Sequence, residues 1–187
     1  RFGDKDYKDI DIHMLRSNLG YVTQEPVIFS DTVTNNISMW KCDEDDPSCT
    51  ERIRAAAHAA KCDEFIDAMP DGFETKLGDR GIKLSGGQRQ RIAIARELYK
   101  DPRILIFDEA ASALDAESEF YIQESINRMH GKRTIVVISH RLASVRHCDR
   151  IYMVSAGRVI EQGSFDNLYS QENSQFRRMC DRQGISS

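Results

Sequence analysis

The chain has 187 residues, with 40% hydrophobic and 30% charged side chains and a formal net charge of −4. This length and composition are typical of one globular domain and exclude collagen-like, low-complexity and disordered chains. The charge is uneven, because residues 76–103 hold eight basic and three acidic side chains, a net charge of +5. This stretch would attract an anion, although a solvated helix face explains the same charges until a phosphate-binding motif is found there.

Aliphatic runs and period-2 patterns predict five strands, at residues 20–23, 104–107, 134–139, 150–154 and 158–162. Helical periodicity predicts four helices, at residues 50–69, 86–100, 116–129 and 173–181. The strand at 104, the helix at 116 and the strand at 134 form one βαβ crossover, so these two strands should be parallel neighbours in a sheet. An α/β fold follows, and residues 32–100, which have no clear strand pattern, would form a mainly helical subdomain inserted into it.

The five cysteines, at positions 42, 49, 62, 148 and 180, form no CxxC pair. Their odd number argues against a closed disulfide framework and favours a reducing compartment. His58 and Cys62 are four residues apart on a predicted helix, but no second pair completes a metal site, so ordinary packing is the better interpretation.

The most distinctive local pattern is Leu84-Ser85-Gly86-Gly87-Gln88 at the start of a predicted helix. Ser85 is a good N-cap, and the two glycines leave the first amide N–H groups uncovered, so the helix terminus can present donors and its positive dipole end to a phosphate. Arg89 and Arg91 add positive charge nearby. An ordinary loop-to-helix turn is the alternative, but the complete pentapeptide is rare enough to favour phosphate binding.

Two carboxylates, Asp108 and Glu109, follow the aliphatic run 104–107. A buried parallel strand delivers such residues to the carboxyl edge of the sheet, where ligands bind in open α/β folds. The first acid would hold Mg²⁺, and the second would orient and deprotonate a water that attacks a phosphoryl group.

The next predicted strand ends at His140, which should therefore lie on the same sheet edge as Glu109 and share its ligand. Between the two strands, Ser112-Ala113-Leu114-Asp115 forms a short loop. Its acid, Asp115, is either functional or only the N-cap of the following helix.

Together these residues resemble the nucleotide-binding domain of an ATP-binding cassette (ABC) transporter. The corresponding motifs are the signature at 84–88, Walker B at 104–109, the D-loop at 112–115, the switch histidine at 140 and a Q-loop around Gln24 in Val-Thr-Gln-Glu-Pro. Segments 15–22 and 78–81 are similar to the exporter branch of the family, and the resemblance extends over residues 9–170.

The resemblance implies a P-loop NTPase-like parallel sheet core, with the helical and signature subdomain at about 32–100 and the C-terminal part of the core at 101–187. It implies ATP and Mg²⁺ as cofactors, with Asp108 and Gln24 serving the metal. Glu109, His140 and Gln24 would serve the lytic water and the γ-phosphate.

The resemblance also implies a second nucleotide-binding domain, packed head to tail. Ser85, Gly86, Gly87 and Gln88 would complete that partner's site, and Asp115 would touch it. Transmembrane domains would be the other partners, nucleic acid would not be one, and the location would be the cytoplasmic face of a membrane.

One departure matters for activity, because the sequence contains no G-x-x-x-x-G-K-[ST] phosphate-binding loop. In the family this Walker A loop precedes the Q-loop, so we expect an N-terminally truncated domain that is inactive alone. A soluble ABC ATPase of DNA repair or translation, and an inert or regulatory fragment that only binds a partner cassette, are the alternatives.

Overall fold

The computed structural model describes residues 4–43, 46–78, 84–111 and 114–185. These residues form two compact units, Arg1–Ile138 and Ser139–Ser187. No helix among them is long and apolar enough to cross a membrane.

The first unit is built on a three-stranded sheet in the order β1-β2-β3. Its strands are β1 (Leu19–Val22), β2 (Ile104–Asp108) and β3 (Thr134–Ile138), and both pairings are parallel. The parallel pairing predicted from the crossover is confirmed. The helices of this unit are α1 (Ile12–Ser17), α2 (Val33–Ser38), α3 (Pro47–Ala59), α4 (Asp63–Asp67), α5 (Gly86–Tyr99) and α6 (Ala116–Met129).

The core of the first unit includes the contact between one face of the sheet and α5, and it extends to buried residues of α2, α3 and α4. Leu105 and Phe107 on β2 are fully buried, as are Ile92 and Ile94 on α5. Gly20 on β1 permits this close packing, since a Cβ there would lie 2.6 Å from Leu105 Cδ2. The register of β2 is therefore fixed, and the carboxylate that ends the strand lies at the edge of the sheet.

The second unit contains an antiparallel hairpin of β4 (Ile151–Ser155) and β5 (Arg158–Gly163), followed by α7 (Phe165–Ser170) and α8 (Gln175–Arg182). Ala156 and Gly157 at the turn both have positive φ, 48° and 74°. Two such residues make the tight turn whose twist matches a hairpin, and the two paired strands confirm those predicted at 150–154 and 158–162.

The prediction of a single helix at 50–69 is wrong in one respect, because this stretch contains two helices, α3 and α4. Lys61, between them, adopts a left-handed backbone conformation with φ 57°. No glycine or proline marks this break, and the helical spacing of apolar residues continues across it. The sequence pattern therefore does not reveal the break.

One disulfide bond joins Cys42 to Cys49, whose Cα atoms are 5.6 Å apart, while Cys62, Cys148 and Cys180 are free. The expectation that the cysteines form no disulfide framework is therefore wrong for this pair. The disulfide joins two cysteines that no spacing motif in the sequence marks. Disulfide bonds are rare in reducing compartments, so the cysteines of this chain no longer favour a reducing compartment.

Candidate functional site

A cavity of about 570 Å³ lies at the carboxyl edge of the sheet in the first unit. Its lining comes from the chain after β1 and from the end of β2: Thr23, Gln24, Glu25, Val27, Asp108 and Glu109. Parallel strands end at the same edge of a sheet, which is where open α/β folds bind ligands. The structure thus brings three predicted site residues, Gln24, Asp108 and Glu109, to one cavity.

Asp108 is held by a residue that the sequence analysis did not single out. The hydroxyl of Tyr21 on β1 donates to Asp108 Oδ2 at 2.5 Å. This hydrogen bond, with smaller contributions from burial and from the charge of Asp108, raises the pKa of Tyr21. Tyr21 pairs with Ile106, two residues before Asp108, so the two side chains lie on the same face of the sheet.

Glu109 has an unusual backbone. Its φ is 50°, in the left-handed region that a non-glycine residue adopts at a free-energy cost. Its N–H donates to the carbonyl of Ile138 at 2.9 Å, so the end of β3 holds this conformation in place. Strained residues of this kind cluster at functional sites.

The N-terminus of α5 is closed by a capping box. Ser85 Oγ accepts from the N–H of Gln88 at 3.1 Å, and Gln88 Oε1 accepts from the N–H of Ser85 at 2.9 Å. Both side chains therefore stabilise the helix start. Gly86 and Gly87 contribute first-turn N–H groups, which have no partner within their own helix.

The two glycines also have a packing role. A Cβ at Gly87 would lie 2.0 Å from Ser118 Oγ on α6, and one at Gly86 would lie 3.2 Å from Leu114 Cδ2. At position 87 only glycine permits this approach of α6 to α5, whereas a Cβ at Gly86 would require only a small shift of Leu114. The double glycine therefore follows from helix packing as well as from any ligand.

Asp115 is the N-cap of α6, which was one of the two predicted alternatives. Its carboxylate accepts from the N–H and from the hydroxyl of Ser118, both at 2.9 Å. These bonds lower its pKa. The preceding D-loop residues, Ser112 and Ala113, lie outside the described residues.

The two arginines expected to add charge at the signature both donate hydrogen bonds to backbone carbonyl groups of the chain. Arg89 Nη1 donates to the carbonyl of Leu84, and Arg91 Nη1 donates to that of Lys61, both at 2.8 Å. The guanidinium of Arg91 also lies over the rings of Phe65 and Tyr121. Both side chains bond to the protein around the start of α5.

His140 belongs to the second unit, where its carbonyl accepts from Gln183 Nε2 at 2.9 Å. Its predicted position beside Glu109 stays a prediction.

The family model for "ABC transporter" matches residues 1–112, more than half of the chain. The chain belongs to the ABC transporter family. This confirms the resemblance drawn from the motifs, and with it the P-loop NTPase-like α/β fold.

Several ABC transporters show how far the similarity extends. Multidrug resistance protein 1 of Entamoeba histolytica is 47% identical over 161 residues, which are 86% of this chain and 12% of that protein. The putative multidrug export ATP-binding/permease protein YgaD of Bacillus subtilis is 44% identical over 181 residues, 97% of this chain and 30% of that protein. The ATP-dependent lipid A-core flippase of Burkholderia orbicola is 46% identical over 160 residues, 86% and 26% of the two chains.

A solved structure described as a bacterial Atm1-family ABC exporter with ATP bound superposes with a TM-score of 0.83 at 38% identity. The match covers 98% of this chain and 31% of that one. The chain thus spans less than a third of the length of the curated relatives described above.

The donor set of this ABC domain at the sheet edge fits Mg²⁺. Within the described ranges, no group of three or more His, Cys, Asp or Glu side chains could hold a metal ion by itself. Asp108 and Gln24 nevertheless supply one carboxylate and one carboxamide to one cavity. Mg²⁺ is usually held by one or two carboxylates together with water and substrate phosphates, so these two residues suffice on the protein side.

Proposed function

We propose that this chain is part of the ATP-binding and ATP-hydrolysing module of an ABC exporter. The observation that carries the proposal is the convergence of Gln24, Asp108 and Glu109 on one cavity in a chain of the ABC transporter family. The names of its relatives include multidrug export, lipid A-core flipping and an exporter with ATP bound. Their common theme, export or flipping of a substrate with the use of ATP, is the function that we propose for the intact protein.

At the cavity, each side chain has a role that its chemistry permits. Asp108 and Gln24 would hold Mg²⁺, which neutralises charge that develops on the phosphates. Glu109 orients a water molecule and accepts its proton, and His140 donates to the γ-phosphate. The hydroxyl of Tyr21 restricts the carboxylate of Asp108 to one orientation.

We propose that a second nucleotide-binding domain packs head to tail on this one. The N–H groups of Gly86 and Gly87 would then face the partner's nucleotide, flanked by Ser85 and Gln88, whose own N–H groups are engaged in the capping box, and Asp115 would lie at the interface. Contact between Gly87 and Ser118 joins the signature to the start of α6, which supports placing both on one surface.

The other partners in this proposal are transmembrane domains, which hold the module at the cytoplasmic face of a membrane where ATP is available. Nucleic acid is not a partner, in keeping with the net charge of −4. In that compartment Cys42 and Cys49 would be reduced, and thiol alkylation in intact cells followed by mass spectrometry tests this directly. Retention of the disulfide there would contradict the proposed location.

The chain by itself lacks the G-x-x-x-x-G-K-[ST] loop that cradles the β- and γ-phosphates. We therefore expect these 187 residues alone to bind Mg-ATP weakly and not to hydrolyse it. Isothermal titration calorimetry measures the affinity, and a dissociation constant in the low micromolar range or below would contradict this part of the proposal. The intact protein should hydrolyse ATP, and a transporter without ATPase activity would contradict the function itself.

A further inference from the structure

Side chains of α5 hold the backbone of the segment that carries Gln24. The carboxamide of Gln90 donates from Nε2 to the carbonyl of Thr23 at 2.8 Å. Six residues further along α5, Arg96 Nη1 donates to the carbonyl of Val27 at 2.9 Å. Residues 24–26 are thus bracketed by two hydrogen bonds from one helix.

The segment before Thr23 is held by α5 as well. Glu97 Oε2 accepts from the N–H of Tyr21 at 3.2 Å, and the same carboxylate pairs with Lys100 Nζ at 2.7 Å. Glu97 is buried despite its charge. The C-terminal end of α5 is therefore anchored to β1, which leaves its N-terminal end as the part that can tilt relative to the sheet.

Among these side chains, Gln90 is the one that bonds directly beside Gln24. It is 1% exposed, so loss of its hydrogen bond would leave a buried polar group without a partner, which strongly opposes separation of the two elements. Its acceptor, Thr23, directly precedes Gln24, and both line the cavity. On its own helix it lies two residues after Gln88 of the capping box.

We propose that Gln90 is a positioning residue that couples the N-terminus of α5 to Gln24. A ligand that contacts the first turn of α5 displaces a stiff helix, and Gln90 transmits the displacement to the backbone at Thr23. Gln24 then moves relative to Asp108 and Glu109, which are attached to the sheet. The proposal rests on the proposed function, because it assigns the two ends of the coupling to the two halves of the ATP site.

The test is hydrogen exchange and steady-state ATPase kinetics of the intact transporter carrying Gln90→Met, which keeps the length of the side chain and removes its donor. Exchange at residues 23–27 should rise about fivefold or more, while α6 and β2 stay unchanged. The kcat for ATP hydrolysis should fall about tenfold with KM within twofold, because positioning is lost and nucleotide contacts are kept.

Gln123→Met is the matched control, since Gln123 on α6 bonds to Asn127 one turn along its own helix and should leave both readouts unchanged. Gln90→Asn keeps the carboxamide on a side chain one methylene shorter, and it should reproduce the effect of Gln90→Met.

Unchanged exchange at 23–27, or a uniform rise over the whole domain, would overturn the proposal, as would failure of both Gln90 variants to fold. Wild-type protein without ATPase activity would instead contradict the proposed function, and the exchange measurement distinguishes the two outcomes because it needs no turnover.

Discussion

At the sheet edge, Gln24, Asp108 and Glu109 line an open cavity, whereas at the N-terminus of α5 the side chains of Ser85 and Gln88 bond to each other's backbone. The first region presents side-chain chemistry to a ligand. The second uses its side chains to stabilise the helix and presents backbone N–H groups. A nucleotide held between two copies of the domain needs both kinds of surface, and a single copy carries them on different elements.

The largest effect should come from Glu109→Gln in the intact transporter. If Glu109 is the base that takes a proton from the attacking water, ATP turnover should fall by about 10² or more with nucleotide binding retained. Steady-state ATPase assays and nucleotide titration measure the two quantities. Glu25→Gln is the matched control, because Glu25 lines the same cavity and has no assigned role in the chemistry. Near-normal turnover in Glu109→Gln would remove Glu109 from the catalytic residues.

Gly87→Ala tests the packing role of the signature and should have an intermediate effect. The added Cβ would overlap Ser118, so we expect a loss of about 2 kcal/mol in the free energy of unfolding. Chemical denaturation measures it. Gly78→Ala is the control, because a Cβ at Gly78 meets no atom of the described residues within 4 Å.

Adding Ser118→Gly to Gly87→Ala should cost less than the sum of the two single changes, because it removes the overlapping atoms. Strict additivity in this double-mutant cycle would show that the glycine is not required by α6.

The smallest effect concerns Asp115 and pH. Because hydrogen bonds from Ser118 lower its pKa in the folded state, Asp115 contributes stability above its unfolded pKa of about 3.9. This contribution is lost as pH falls through the lower folded pKa. Asp115→Asn keeps a good N-cap without the titration. Its unfolding free energy should therefore fall less steeply than that of the wild type between about pH 5 and pH 2. Parallel curves would contradict the assigned cause.

In both regions the sequence reveals the functional residues that lie close together in the chain. Asp108 and Glu109 were predictable because an aliphatic run of a buried parallel strand ends at them, and the crossover fixes which edge they reach. Ser85 and Gln88 are three positions apart, which is the spacing of the N-cap and N3 residues in a capping box. Residues close together in the chain thus revealed both motifs.

Contacts between residues far apart in the chain were not predictable in this way. Tyr21 and Asp108 are separated by 87 positions, and Gln90 and Thr23 by 67. Their alignment depends on strand register and on the rotation of α5, which a single sequence does not specify. The same holds for Gly87, because the requirement for glycine at this position becomes visible only when the position of α6 is known.

The most direct test of the division between the two regions is a complementation measurement. Ser85→Arg blocks the start of α5 and leaves the cavity intact, whereas Glu109→Gln inactivates the cavity and leaves α5 intact. In a head-to-tail dimer, the cavity of a Ser85→Arg domain meets the intact α5 of a Glu109→Gln domain and forms one working site. Equal mixing of two inactive variants should therefore restore about a quarter of wild-type turnover, because half of the dimers are mixed and each has one working site of two. No recovery in verified mixed dimers would contradict the account, because Ser85 would then serve the cavity of its own chain.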